Sequence, residues 1–440
     1  MILVAVVLCG CSREPVVYDV QFEPNLVHAM KYQMKEEIPM DQALADAFWV
    51  VEKEFGTPDE PSLPALFEED DYQGLISLEK LKRAAGPVAE GSGLYRKHCA
   101  SCHGDTGNGR GVNAAVSNPY PRDYRLGIFK FKSTRRGAKP TRDDIARTIR
   151  HGIPGTTMVK IPELTDDDID ALTDYVIYLS LRGQLERMLI DDAVFELDLE
   201  VDRIVEREFG QLLQDEGRGS VETFIDEWQG AGGPEGERAD KMVEQLELYD
   251  ESMEYASELL AEIADAWFEA EDDVVEVPEP PAEIPVSTSK AHYVELSQGD
   301  QAEALAKSVA RGKEVFTGKV ASCGKCHGEK GLGDGQTNDY DDWTKDWTLR
   351  IGLKPEDTDS LIPLMARGAL PPRNALPRNF TEGIFRGGET PEDLYRRISQ
   401  GIEGSPMPKA THVAGDYEKD DIWHLINFVR SLDETETDSK

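Results

Sequence analysis

Two five-residue runs constrain this chain more than anything else in it: Cys99-Ala-Ser-Cys-His103 and Cys323-Gly-Lys-Cys-His327. A pair of thiols two residues apart, followed at once by an imidazole, is the pattern that attaches a c-type haem. The spacing has a chemical reason. Each thiol adds across one vinyl group, two intervening residues let both sulfurs reach one porphyrin edge, and the histidine then faces the iron. Six cysteines occur in all. Four belong to these runs, and the other two, Cys9 and Cys11, close an N-terminal apolar stretch, so no pair remains for a structural disulfide.

The surroundings of the two runs repeat as well. At an offset of 224 residues, Gly104, Gly107, Gly109 and Gly111 fall on Gly328, Gly331, Gly333 and Gly335. These glycines are expected to let the backbone turn tightly and pass close to the haem edge. At an offset of 256, Tyr120-Pro-Arg-Asp-Tyr124 and Gly127-Ile-Phe resemble Leu376-Pro-Arg-Asn-Phe380 and Gly383-Ile-Phe. At an offset of 249, Gly152, Ile153, Gly155 and Met158 fall on Gly401, Ile402, Gly404 and Met407. The second copy therefore carries 32 extra residues between Gly335 and Leu376.

That register selects the remaining iron ligands. The porphyrin fills four positions of haem iron and a histidine the fifth. A methionine in the sixth gives the His/Met arrangement that raises the reduction potential. Of ten methionines, only Met158 and Met407 hold equivalent places, each after a glycine-containing loop. The expected ligand sets are His103 with Met158 and His327 with Met407, with Cys99, Cys102, Cys323 and Cys326 as the thioether anchors. The competitors are His151, His412 and Met365, while His98 and His424 lie on predicted helices and read as structural. The plainer alternative is that each methionine packs in a core. Each ligating imidazole is expected to donate its other N–H to a backbone carbonyl, with Pro119 or Pro121 the candidates for His103. Arg122 and Arg378 are candidates to pair with haem propionates. With both sixth positions filled, neither iron is open to a substrate, which points to electron transfer and not to catalysis.

The formal net charge of −37 argues against nucleic acid as a partner. It is unevenly placed: 32 Asp/Glu against 6 Lys/Arg between Gln184 and Ile284, and 10 Lys/Arg against 3 Asp/Glu between Arg122 and Arg150. The two stretches either attract each other or face different partners. The expected organisation is a signal peptide at 1–10 and a helical lead-in at 11–88. A first haem domain at 89–182, an acidic helical spacer with a Pro-rich linker at 183–300, and a second haem domain at 301–440 complete it. In the lead-in, Leu44, Phe48, Val51 and Phe55 are spaced for one helix face, which Gly56-Thr-Pro ends. Thr165-Asp-Asp-Asp168 reads as a capping box opening the helix that closes the first haem domain.

The Met1–Gly10 stretch ending at Cys11 resembles a lipoprotein signal, with Cys11 as the lipid-bearing residue. The alternative is a buried N-terminal strand. The stretch is too short for a membrane-spanning helix, which takes about 20 residues. Membrane attachment is therefore expected through a lipid anchor.

The two Cys-x-x-Cys-His-Gly runs, each with a downstream Gly-Ile-x-Gly-[Ser/Thr]-x-Met, resemble dihaem class I c-type cytochromes over about half of the chain. The combination Pro-Tyr-Pro-Arg-Asp-Tyr-Arg with Gly-Ile-Phe-Lys-Phe-Lys-Ser resembles lipoprotein cytochromes c of the planctomycete type. The resemblance implies an all-α fold of two cytochrome c-like domains joined by the acidic segment. It also implies two covalently attached haem c groups and a lipid-anchored place on the periplasmic side of a bacterial membrane. The expected partners are redox proteins of a respiratory chain, with single electrons passed towards a terminal oxidase. Two other classes stay open: a haem-bearing subunit of an oxidase or dehydrogenase, or a dihaem peroxidase; and an assembly protein whose acidic helices recruit a partner.

Overall fold

A computed structural model describes residues 20–36, 40–195, 237–414 and 416–434. Cys11, the apolar N-terminal stretch and the middle of the acidic segment lie outside the described residues. Among those described, regular structure is helical, with isolated β-bridges and no strand ladder. None of these helices is long and apolar enough to cross a membrane.

The lead-in supplies α1 (Leu26–Glu36), α2 (Asp41–Phe55) and α3 (Leu78–Ala84). Helix α2 spans the stretch whose periodicity predicts it and buries Val50, Val51 and Phe55. It stops at Gly56, whose φ of 66° and position 2.4 Å (as a built Cβ) from Glu60 O leave no room for a side chain.

The first haem domain holds α4 (Leu94–His98), α5 (Ala100–His103), α6 (Arg142–His151) and α7 (Asp166–Phe195). The capping box at the start of α7 is formed: Asp168 N–H donates to Thr165 Oγ1 (3.2 Å) and Thr165 N–H donates to Asp168 Oδ2 (3.0 Å). Burial raises the Asp168 pKa, but the Thr165 donors and Arg83 outweigh it and hold the carboxyl at about 2. Its folded pKa lies below its unfolded one, so its stabilisation is complete above about pH 4 and fades as pH falls towards 2. Asp168→Ala is expected to cost about 1 kcal/mol at pH 7. Urea unfolding curves of parent and variant should approach each other as pH falls through 2.

The expected boundary at Arg182 falls inside α7, which runs on without a break to Phe195. The cause is local. Arg182 and Glu186 are both buried and pair at 3.0 Å one turn apart, and the Arg182 guanidinium lies 4.0 Å from the Phe22 ring centroid. Asn25 N–H donates to Glu186 at 2.8 Å. The lead-in is thus packed into the first domain, and the spacer begins as a continuation of it.

Helix α8 (Glu237–Phe268) lays Met253, Leu260, Ile263 and Trp267 in the same core as α7. Phe129 meets Trp267 edge-on at 5.8 Å. Beyond α8 the acidic segment pairs with the basic stretch: Arg135 N–H donates to Asp273 O (2.9 Å), Val275 N–H to Ser133 O (3.0 Å), and the Arg135 side chain pairs with Asp273. Here the two oppositely charged stretches attract each other. The Pro-rich linker is extended but is not a free tether. Ile284 is buried in the second core, and Pro285 O accepts from Asn427 Nδ2 at 2.8 Å.

The second domain holds α9 (Lys290–Gln298), α10 (Ala302–Thr317) and α11 (Cys323–His327). It continues with α12 (Asp342–Trp347), α13 (Thr358–Ala366), α14 (Pro391–Gln400) and α15 (Asp421–Ser431). Helices α10 and α15 cross at Gly312, where a Cβ would lie 2.0 Å from His424 O. The insertion forms α12 and α13, and its Trp347, Ile351, Leu361 and Leu364 pack on Met30 of α1.

Candidate haem sites

In each domain the first thiol lies at the start of a one-turn helix and the histidine at its end. The segment that returns over this turn is pinned to it twice. Gly109 N–H donates to His103 O (2.8 Å) and Tyr124 N–H to Gly107 O (2.9 Å); Gly333 to His327 O and Phe380 to Gly331 O repeat this at 2.8 Å each. Gly109 has φ 72°, and a Cβ there would lie 2.9 Å from Pro121 O. In Gly333, φ is again 72° and the distance to Pro377 O is 2.7 Å. At Gly109 and Gly333 the protein's own backbone already leaves no room for a side chain.

That close approach delivers a carbonyl to each histidine. His103 Nδ1 donates to Arg122 O at 3.0 Å and His327 Nδ1 to Arg378 O at 3.1 Å. The acceptor is the residue after the expected prolines. An Asx side chain at the next position fixes the turn: Asp123 Oδ1 accepts from Arg125 N–H (2.9 Å) and Asn379 Oδ1 from Thr381 N–H (3.1 Å). The same turn stacks an aromatic ring on each imidazole, Tyr124 on His103 at 4.8 Å and Phe380 on His327 at 4.6 Å. These two rings were missed in the sequence, although their recurrence at one place in the repeat marks them.

Burial lowers the His103 pKa to about 4, against the opposing pull of the Arg122 carbonyl, and lowers that of His327 as well. Both rings are neutral at pH 7. With Nδ1 committed as a donor, Nε2 holds the lone pair, and in neither ring does it make a hydrogen bond among the described residues. Burial, with the neighbouring Cys102 adding, pushes the Cys99 thiol up to about 12; burial pushes Cys323 to about 11. An environment so hostile to a thiolate suits an uncharged thioether. The residues present thus fit a covalently attached haem: Cys99 and Cys102, or Cys323 and Cys326, would hold it, and His103 or His327 would ligate its iron.

The methionine loops are alike in detail. Ile153 N–H donates to Met158 O (2.7 Å) and Ile402 N–H to Met407 O (3.1 Å). Thr156 Oγ1 and Ser405 Oγ donate to Ile153 O (2.8 Å) and Ile402 O (2.7 Å). The glycines at 152, 155, 401 and 404 all have φ between 68° and 70°. Met158 and Met407 are half-buried. Among the rivals, His151 and His412 are exposed, Met365 is 36% exposed on α13, and His424 Nδ1 is engaged by Ser308 Oγ at 2.8 Å. His98 ends α4, 4.0 Å from Glu163.

The two sites face each other across a pseudo-twofold axis. A Cβ on Gly155 would meet Ile384 Cγ2 at 2.9 Å and Arg378 Nη1 at 3.4 Å. A Cβ on Gly404 would meet Arg122 Nη2 at 3.2 Å and Ile128 Cγ2 at 3.3 Å. Gly155 and Gly404, Arg122 and Arg378, and Ile128 and Ile384 are repeat equivalents, so each contact has its mirror, as in an isologous interface. Phe131 packs on Gly387, its own equivalent, as only residues beside such an axis can. Ion pairs across the interface join Lys132 to Glu403 (2.5 Å) and Arg147 to Asp393 (2.6 Å).

A cytochrome c family model matches residues 88–180 and 309–433. Among solved structures, a chain of the reducing HAO-like protein complex of Kuenenia stuttgartiensis is similar over 79% of this chain and 96% of its own. It shares 23% identity, with a TM-score of 0.42. No curated protein matches the chain.

Proposed function

The chain carries two cytochrome c domains, and from that premise we propose that it is a dihaem electron carrier passing single electrons between components of a respiratory chain. One observation carries the reading. Two thiols, a carbonyl-anchored neutral imidazole and a methionine loop recur twice with matching geometry, and the two copies are packed face to face. Each haem, when bound, accepts and returns one electron. The chain's residues do the rest. Arg122 O and Arg378 O orient the imidazoles, Tyr124 and Phe380 hold them by stacking, and Met158 and Met407 close the sixth position to substrates.

In this reading Cys11 bears a lipid that tethers the protein to the periplasmic side of a membrane, and partners are redox proteins met there. A spectroelectrochemical titration of the purified protein tests the carrier function. Two one-electron waves and a methionine-to-iron charge-transfer band in the ferric form are expected. A high-spin ferric spectrum with turnover of peroxide would replace the carrier with a peroxidase.

A further inference from the structure

Arg378 and Arg386 belong by sequence to the second domain, yet both side chains stand on the methionine loop of the first. A Cβ on Gly155 would lie 3.4 Å from Arg378 Nη1, and Arg386 Nη2 donates to Gly155 O at 3.0 Å. The two guanidinium groups are close enough that Arg378, after burial, is the main influence pushing Arg386 below the usual arginine range, with Glu382 opposing. Neither arginine forms an ion pair with a carboxylate among the described residues. Glu382 accepts instead from Asn379 Nδ2 at 3.3 Å. The Nε atoms of both arginines are buried with no hydrogen-bond partner. Two half-buried cations side by side, with donors left over, are costly unless an anion completes the cluster.

The covalently attached haem supplies such anions, because each carries two propionate carboxylates. We infer that Arg378 and Arg386 bind propionate of the haem held by Cys99 and Cys102, so that the first domain's haem site is completed in trans by the second domain. This rests on the two-haem reading above. It gives Arg378 two separate duties. Its backbone carbonyl holds His327 of its own domain, while its side chain serves the other. Guanidinium groups suit the second duty because their fork matches a carboxylate in two places.

The assignment predicts which haem responds to a mutation. A cation beside a haem favours the reduced form, which carries one positive charge fewer, so removing it lowers the potential. Arg378→Gln keeps the backbone carbonyl and removes the charge. In the full-length holoprotein, it should lower the first haem's reduced-to-oxidised ratio about tenfold at a fixed electrode potential, equivalent to about 59 mV for one electron. The second haem should move less. The waves are assigned in a Met158→His background, which removes the methionine absorption of the first haem alone. Arg386→Gln leaves the Arg378 carbonyl untouched and serves if Arg378→Gln does not fold; it should act on the same wave. Arg378→Lys should restore most of the loss. If only the second haem's wave falls, or neither does, the inference is overturned while the carrier reading stands. A parent protein without two haem waves would overturn both.

Discussion

Replacing Met158 with histidine is expected to lower one of the two potentials by roughly 0.3 V, a sizeable part of the ~0.8 V range that axial ligands span. It should also halve the methionine-to-iron absorption of the ferric protein. The reason is the softness of the thioether, which favours ferrous iron, against the harder imidazole. The other wave should stay in place, because Met407 sits on its own loop with its own hydrogen bonds. A potential and spectrum unchanged by the substitution would remove Met158 from the ligand set. The exposed His151, seven residues before Met158, would then be the next residue to test.

The second large effect is one of packing. Gly312→Ala should destabilise the second domain by roughly 3 kcal/mol, at the upper end of overpacking costs. Its Cβ would fall 2.0 Å from the His424 carbonyl oxygen and 2.6 Å from the carbonyl carbon, backbone atoms inside α15 that cannot turn away. Alanine's gain in helix propensity, about 1 kcal/mol over glycine, does not offset that. Lys313→Ala, on the exposed side of α10, is the control and should lie within about 0.5 kcal/mol of the parent. Urea unfolding followed through the second haem's absorption would read the difference. Equal midpoints for the two variants would show that the helices can part at Gly312 without cost.

The sequence made the local parts of each site legible, and the reason is duplication. The register of the two copies singled out Met158 and Met407, and periodicity found α2 and the start of α7. Contacts between the copies were not legible, because an offset says which residues are equivalent and nothing about which ones touch. Repeat equivalence marks Arg122 and Arg378 as candidate propionate partners but does not reveal that each reaches the opposite methionine loop. The carbonyl that holds His103 was sought in the prolines and comes from Arg122, one residue later, because the Asx turn at Asp123 aims it. The continuity of the helix past Arg182 was hidden for a different reason. Charge composition changes there, but the buried Arg182–Glu186 pair keeps the helix going.

The insertion bears on symmetry. Two identical sites in series would conduct equally well either way. Residues just after α13 pack on the first domain's Ser117–Tyr120 segment: Tyr120 Oη donates to Pro371 O at 3.0 Å, and the Arg373 guanidinium covers the Tyr120 ring at 3.9 Å while donating to Ser117 O. The equivalent of Tyr120 is Leu376, which is 62% exposed. His103 and Tyr124 are buried, whereas their counterparts His327 and Phe380 are only half-buried. A drier surrounding disfavours the more highly charged ferric state of a haem. Thirty-two residues added to one copy thus make two otherwise matched sites unlike in their surroundings.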